Sequence, residues 1–262
     1  MSFKHITSRD NPIFKHLKKL AENARERRSE GKALLDGVHL IESYCEAFGE
    51  PELAGLELII IPEGKSSAEA TQLMQQLEHI NTLMFPTLMF AELTPVTSST
   101  GILALVKTPK IVPPNQVDFA LMLEDIQDPG NLGSMLRTAL GAGVEAVYLS
   151  KGCTDAWSPK ALRGGQGAQF YLPIVEGVDL IETMQSFAGN TYATAMEGES
   201  LYEQDLTQPT AFVIGNEGAG LSAAAIKAAS YRVSIPMHRN LESLNAAAAA
   251  AVCLFERVRQ AR

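Results

Sequence analysis

Short apolar runs separated by helix-forming stretches dominate residues 118–262. The runs are FALMLED (119–125), VEAVYLS (144–150), FYLPIV (170–175), TYATAM (191–196), AFVIGN (211–216) and RVSIPM (232–237). Such runs, apolar without strict alternation, read as strands buried on both faces. Between them, LGSMLRTALGAG (132–143) and segments near 178–187, 221–229 and 244–260 have helical character. Strands alternating with helices in this way predict a doubly wound parallel sheet, an α/β fold. This sheet binds ligands in loops at the carboxyl ends of its strands.

Residues 1–107 alternate helix and strand in a looser pattern that predicts a separate, smaller α/β domain. Asn11 as cap and Pro12 at the first position open a predicted helix over 10–28, with Ile13, Leu17 and Leu20 on one face. ALLDGVHLIESYCEAFG predicts a short strand followed by a helix ending at Gly49. LELIIIPE and GILALVK predict further strands. SSAEATQLMQQLEHI predicts a helix with Ser66 as cap and Glu69 three residues on. Pro109, Pro113 and Pro114 mark a linker, so the expected domains are 1–107 and 118–262, joined by 108–117.

The 262 residues are 46% hydrophobic and 20% charged, which suits a packed core. No apolar run reaches the ~18 residues of a membrane helix. The start lacks the apolar region of a secretory signal. Cys45, Cys153 and Cys253 are odd in number and form no C-x-x-C, which predicts reduced thiols in a cytoplasmic protein. The net charge of -8 argues against a nucleic-acid partner taken as a whole. However, the first 30 residues hold Lys4, Arg9, Lys15, Lys18, Lys19, Arg25, Arg27 and Arg28 against four acids, and phosphate binding needs only a local basic patch. A solvated helix face with intrahelical ion pairs explains the same residues equally well.

Several familiar sites are excluded. GKS at 64–66 lacks the first glycine of a phosphate loop, because Ile59 stands there. No G-x-G-x-x-G follows a strand, no G-x-S-x-G occurs, and the five histidines form no metal-ligand spacing. Three clusters remain, each at the carboxyl end of a predicted strand. In DIQDPGNLGSMLRTALGAG (125–143), Asn131 and Arg137 lie six residues apart across a turn into a helix. In VIGNEGAGLS (213–222), Gly215, Gly218 and Gly220 surround Glu217 and would let a ligand approach the backbone. In SIPMHRNLESLNAAAAAAV (234–252), Ser243 and Asn245 open an alanine-rich helix. A helix cap, a dipole-facing acid and a surface arginine would account for each cluster taken singly.

Taken in order, N-x-x-x-x-x-R, then G-N-E-G-x-G-L, then I-P-M…E-S-L-N, the clusters resemble motifs 1, 2 and 3 of the SpoU (TrmH-like) RNA 2'-O-ribose methyltransferases. The resemblance covers about residues 118–262, and residues 1–107 are more loosely similar to the family's L30e/L7Ae-like substrate-binding domain. It implies an α/β-knot domain with a deep trefoil knot, S-adenosylmethionine as cofactor, no metal, a homodimer with the site beside its interface, and an RNA substrate. Carried over, it implies catalytic roles for Asn131, Arg137, Glu217, Ser243 and Asn245. It implies cofactor contacts at Thr194, Gly215, Asn216, Gly218, Ile235, Met237 and Leu244.

The chain departs from the family pattern at Arg239, where glycine is usual. It also departs in the alanines after Asn245, and at Gly165-Gln166-Gly167-Ala168, where Ser-x-Gly-Ala is common. In the implied reaction, Arg137 either activates the ribose hydroxyl or holds phosphate and stabilises the developing alkoxide; arginine's pKa above ~12 weighs on the first. Ribosomal RNA is the favoured substrate. A tRNA 2'-O-methyltransferase, a resistance methylase, and a non-catalytic RNA-binding or ribosome-assembly factor are the alternatives. A nucleotide-dependent metabolic enzyme fits the sheet but lacks a phosphate loop. The alanine run is expected to pack closely behind the site, so that Ala248→Leu would destabilise the fold or the cofactor site.

Overall fold

The computed structural model describes residues 3–49, 55–64, 66–94, 99–238 and 243–261. The chain forms two compact units. The first carries a five-stranded mixed sheet of β1 (Phe3–His5), β2 (Lys32–Asp36), β3 (Leu56–Pro62), β4 (Thr82–Phe85) and β5 (Leu103–Lys107), in the order β1-β4-β3-β5-β2. Strands β1, β4 and β3 run parallel, and β5 is antiparallel to both β3 and β2. Its helices are α1 (Pro12–Glu22), α2 (Ala24–Glu30), α3 (Val38–Phe48), α4 (Ala68–Gln76) and α5 (Thr87–Ala91).

The single helix expected over 10–28 is two. Asn23 ends α1 in an extended conformation, and its side-chain oxygen accepts from the N–H groups of Arg25 and Glu26, capping α2. A side chain that bonds the backbone locally competes with helix continuation. The buried face of α1 is Phe14, Leu17 and Leu20, with Ile13 only packed against it. The basic cluster is also thinner than the sequence suggests. Arg27 is buried, with its guanidinium donating to the Leu20 and Ala21 carbonyls at 2.6 and 3.0 Å. Arg9 and Lys18 pair with Glu92, and Lys15 pairs with Asp10. Helix α4 is capped by Ser67, one residue later than expected.

The second unit is built on six parallel strands: β6 (Phe119–Leu123), β7 (Ala146–Ser150), β8 (Ile174–Val178), β9 (Asn190–Ser200), β10 (Thr210–Ile214) and β11 (Tyr231–Ser234). Their order is β11-β9-β10-β6-β7-β8. All five residues of β6 and of β10 are buried, as the unalternating apolar runs require. Helices α6 (Pro129–Ala142), α8 (Leu180–Ser186), α9 (Ala223–Ala228) and α10 (Ala246–Gln260) cover the sheet. Strand β8 begins at Ile174 rather than at Phe170, which lies in a 3-10 turn.

The chain leaves β6 toward β7 on one side, and leaves β10 for β11, beyond β9, on the other. The crevice between the carboxyl ends of β6 and β10 is therefore the topological switch point of the sheet, where ligands are expected.

The units divide at Pro109, inside the expected linker, but Trp157–Phe170 belongs to the first unit, not to the domain expected over 118–262. This segment holds α7 (Pro159–Gly165), a helix unforeseen in the sequence although Ser158 caps it and Pro159 starts it. Phe170 sits edge-on to Tyr44 with ring centroids 5.3 Å apart, and stacks with Trp157. A Cβ on Gly167 would lie 3.1 Å from Ser43.

Helix α10 packs along α6. Only part of the alanine run is buried: Ala247 and Ala250 are, whereas Ala248 is exposed. The close-packing expectation thus moves from Ala248 to its neighbours. We expect Ala250→Leu to lower unfolding stability by about 1–3 kcal/mol through overpacking. Ala248→Leu should stay within ~0.5 kcal/mol. Denaturant titration of both variants checks the contrast.

Candidate active site

The loop after β10 folds back on itself. Asn216 and Gly220 form a bridge, each N–H donating to the other's carbonyl. The Asn216 side chain closes the turn: its Oδ1 accepts from the N–H groups of Gly218 and Ala219, both at 2.9 Å. Its Nδ2 reaches the Asp125 carbonyl beyond β6 at 2.8 Å. A Cβ on Gly215 would lie 2.3 Å from the Gly220 carbonyl carbon and the Leu221 nitrogen. The loop's own backbone therefore requires glycine there, whatever approaches it from outside.

The loop after β6 is equally constrained. Asp125 has φ 53°, and its N–H donates to Ser150 Oγ at 2.9 Å, while that hydroxyl donates back to Asp125 Oδ1 at 2.6 Å. Gly152 leaves room for this carboxylate, since a Cβ would lie 2.1 Å from Oδ1. Gln127 Nε2 ties the Asp125 and Gly152 carbonyls together. Ser150, Gly152 and Gln127 were not singled out from the sequence, because their partners lie about 25 residues apart or more in register across two loops.

Glu217 joins the two loops. Its carboxylate accepts from the backbone N–H groups of Gln127 and Asp128, both at 3.0 Å, and from Asn131 Nδ2 at 3.1 Å. Desolvation pushes the Glu217 carboxyl up, but these donors outweigh it and hold it below the usual glutamate range. Asn131 then accepts at Oδ1 from Asn245 Nδ2 at 3.0 Å. Asp128, not Asn131, caps α6. Asn245, not Ser243, caps α10, with its Oδ1 accepting from the N–H groups of Ala247 and Ala248. The structure thus brings Glu217, Asn131 and Asn245 into one hydrogen-bonded line across three strand-end segments.

Arg137 and Ser243 do not join this line. Both are exposed and neither makes a hydrogen bond or ion pair among the described residues. Six residues at 3.6 per turn place Arg137 about 120° around α6 from Asn131. Around the cluster, Thr194 donates to the Val213 carbonyl at 3.0 Å, fixing the middle of β9 to the end of β10. Ile235, Met237 and Leu244 are half-buried. Arg239 lies outside the described residues. Among the described residues, no group of three or more His, Cys, Asp or Glu stands close enough to hold a metal ion.

Because the Glu217 carboxyl is held low, its contribution to loop order is present above the ordinary glutamate pKa and is lost as pH falls through the lowered value. Glu217→Gln replaces an all-acceptor carboxylate with an amide that cannot accept three donors without loss. We expect this variant to lose about 1 kcal/mol of stability at neutral pH. The difference from the parent chain should vanish on acidification below the glutamate range, and paired pH-dependent unfolding curves measure it.

A parallel α/β sheet with a carboxylate and two amides joined at its switch point defines a doubly wound α/β protein with a candidate ligand-binding site there. Comparison with known proteins narrows it. A profile of the SpoU rRNA methylase family matches residues 118–255, and the chain belongs to that family. A 23S rRNA (guanosine(2553)-2'-O)-methyltransferase of Bacillus subtilis is 32% identical, over 96% of this chain and 98% of its own length. A 23S rRNA (uridine(2479)-2'-O)-methyltransferase of Streptomyces viridochromogenes is 31% identical, over 98% and 92%. The crystal structure of the SpoU methyltransferase AviRb from Streptomyces viridochromogenes in complex with AdoMet superposes with a TM-score of 0.81 at 30% identity, covering 95% of this chain and 98% of that one.

Proposed function

We propose that this chain methylates a ribose 2'-hydroxyl of ribosomal RNA, using S-adenosylmethionine. The observation that carries the reading is the Glu217–Asn131–Asn245 line at the sheet's switch point, in a chain of the SpoU rRNA methylase family. The two relatives act on a guanosine and a uridine of 23S rRNA, so the family leaves the target base open.

The residues present fit the cofactor by their chemistry. Half-buried Ile235, Met237 and Leu244 offer an apolar wall for an adenine, and the Gly218–Gly220 backbone leaves open space beside Asn216. When bound, S-adenosylmethionine supplies an already activated methyl group. The chain's own part is then to position. Glu217 and Asn216 hold the loops after β6 and β10 in register, and Asn131 and Asn245 present amides that orient the ribose. Arg137, exposed and without a carboxylate partner among the described residues, holds the RNA phosphate and stabilises the alkoxide as it forms. Ser243 lies beside Asn245 on the approach to this site.

The homodimer belongs to the same proposal. Its support is that Asn131 and Arg137 lie on different faces of α6, the arrangement expected of a site shared between two copies. The trefoil knot also belongs to it. Its support is that α10, near the end of the chain, starts against Asn131 at the switch point. The first unit, with Trp157–Phe170, is proposed as the L30e/L7Ae-like RNA-gripping part, and a cytoplasmic site of action is part of the same proposal. Calorimetric titration with S-adenosylmethionine, alongside light scattering for mass, tests the reading. Saturable binding by a dimer is expected; no binding would favour the non-catalytic RNA-binding alternative.

A further inference from the structure

The first unit contains a half-open cavity of about 540 Å³ that is separate from the strand-end site of the second unit. This falls in the size range of small-molecule and nucleotide pockets. Glu42 and Glu69 stand in its wall, and beside them the lining holds polar groups that can meet a ligand. Asp36, at the carboxyl end of β2, holds its carboxylate between the Thr94 and Ser99 hydroxyls, which donate to Oδ2 and Oδ1 respectively. Helix α3 opens into the cavity at Gly37, Val38 and His39, with no side chain among the described residues capping its N-terminus and no acid in its first turn. Arg163, on α7, also lines the cavity, is exposed, and makes no hydrogen bond or ion pair with the described residues. In addition, Thr100 in the wall has a buried hydroxyl without a hydrogen-bond partner among the described residues.

We propose that this cavity binds one unpaired guanosine nucleotide of the RNA substrate. The proposal rests on the reading of the chain as an RNA ribose methyltransferase, and adds a base-specific contact away from the reacting ribose. The chemistry selects the ligand. A carboxylate is an acceptor only, and each Asp36 oxygen still has a lone pair after its hydroxyl bond. Guanine is the base that offers two adjacent donors, N1–H and the N2 amino group, on one edge. Adenine and cytosine set a single amino donor beside a ring acceptor, and uracil offers a lone N–H between carbonyls. Unstacked bases of single-stranded RNA are read on such edges. The same nucleotide carries a phosphate, which the uncapped α3 terminus and the Arg163 guanidinium can take together. Burial also raises the Asp36 carboxyl, so donors from a ligand would be felt strongly there.

The test uses the full chain and short fluorescent oligouridylates carrying one guanosine, inosine or adenosine. Wild-type protein is expected to prefer the guanosine oligomer by about tenfold, and inosine, which lacks the N2 amino group, to fall to the adenosine level. Asp36→Asn should erase the preference. Because Asp36 also holds Thr94 and Ser99, Arg163→Ala serves as a second variant that leaves these contacts alone; it should weaken all three oligomers and steepen none. Equal binding of the three oligomers by wild type, or unchanged binding in both variants, overturns the inference. Free GMP binding as tightly as the guanosine oligomer would also overturn it, by assigning the cavity to a free nucleotide. Methyl transfer to rRNA by the same preparation separates the two readings. Transfer without guanosine preference sinks only this inference; guanosine preference without transfer sinks the enzymatic reading beneath it.

Discussion

Arg137→Ala is expected to remain folded and to bind S-adenosylmethionine, and to lose about 100–1000-fold in methyl transfer. Arg137 is exposed and makes no hydrogen bond or ion pair among the described residues, so its removal leaves no buried group unpaired. Its place in the proposal is electrostatic: the guanidinium holds phosphate and meets the charge that develops on the ribose oxygen. Arg137→Lys keeps the charge but loses the planar fork, and should recover only part of the rate. Single-turnover transfer with labelled cofactor, together with thermal melts, checks both variants. Wild-type turnover in the alanine variant would remove Arg137 from the chemistry.

Gly215→Ala should do the opposite and act through the fold. The added methyl would have to displace the Gly220–Leu221 backbone, which is only 2.3 Å from its ideal position. Because that backbone belongs to the turn that presents Glu217, relief of the clash moves the loop. Overpacking of this kind costs roughly 1–3 kcal/mol, sometimes more. For a chain of this size a melting temperature lower by about 2–12 °C follows. Cofactor binding should fall with it, since Asn216 and Gly218 shift together. Differential scanning calorimetry and cofactor titration give the two readouts. A stable variant with intact binding would show that the turn tolerates opening.

The strands of the second unit were legible because burial on both faces leaves an unbroken apolar run, as in β6 and β10. The site was legible as three separate motifs. Its connections were not, since Glu217 meets Gln127 and Asn131 across about 90 residues of chain, and no local pattern records that register. The predicted cap of α4 slipped by one residue, to Ser67 from Ser66, because neighbouring polar side chains near a helix start compete for the same N–H groups. The unit boundary was misplaced for a similar reason. Trp157–Phe170 sits in sequence among second-unit strands, yet its Phe170 ring packs with Tyr44 and carries Trp157 stacked on it. Removing residues 1–107 to test RNA binding would therefore strip this segment of its packing partners, and point variants in the full chain are the sounder probe. The Asp36 cavity left no trace in the sequence, since it draws on residues from 36 to 166 without a motif.

The central claim is tested most directly by incubating the purified chain with 23S rRNA and methyl-labelled S-adenosylmethionine, then identifying the labelled nucleoside after complete digestion. The account predicts label in one 2'-O-methylnucleoside, none of it in a base, and about 100-fold less or lower with Arg137→Ala. Label in a methylated base, or no label in rRNA from a protein that binds the cofactor, would contradict it.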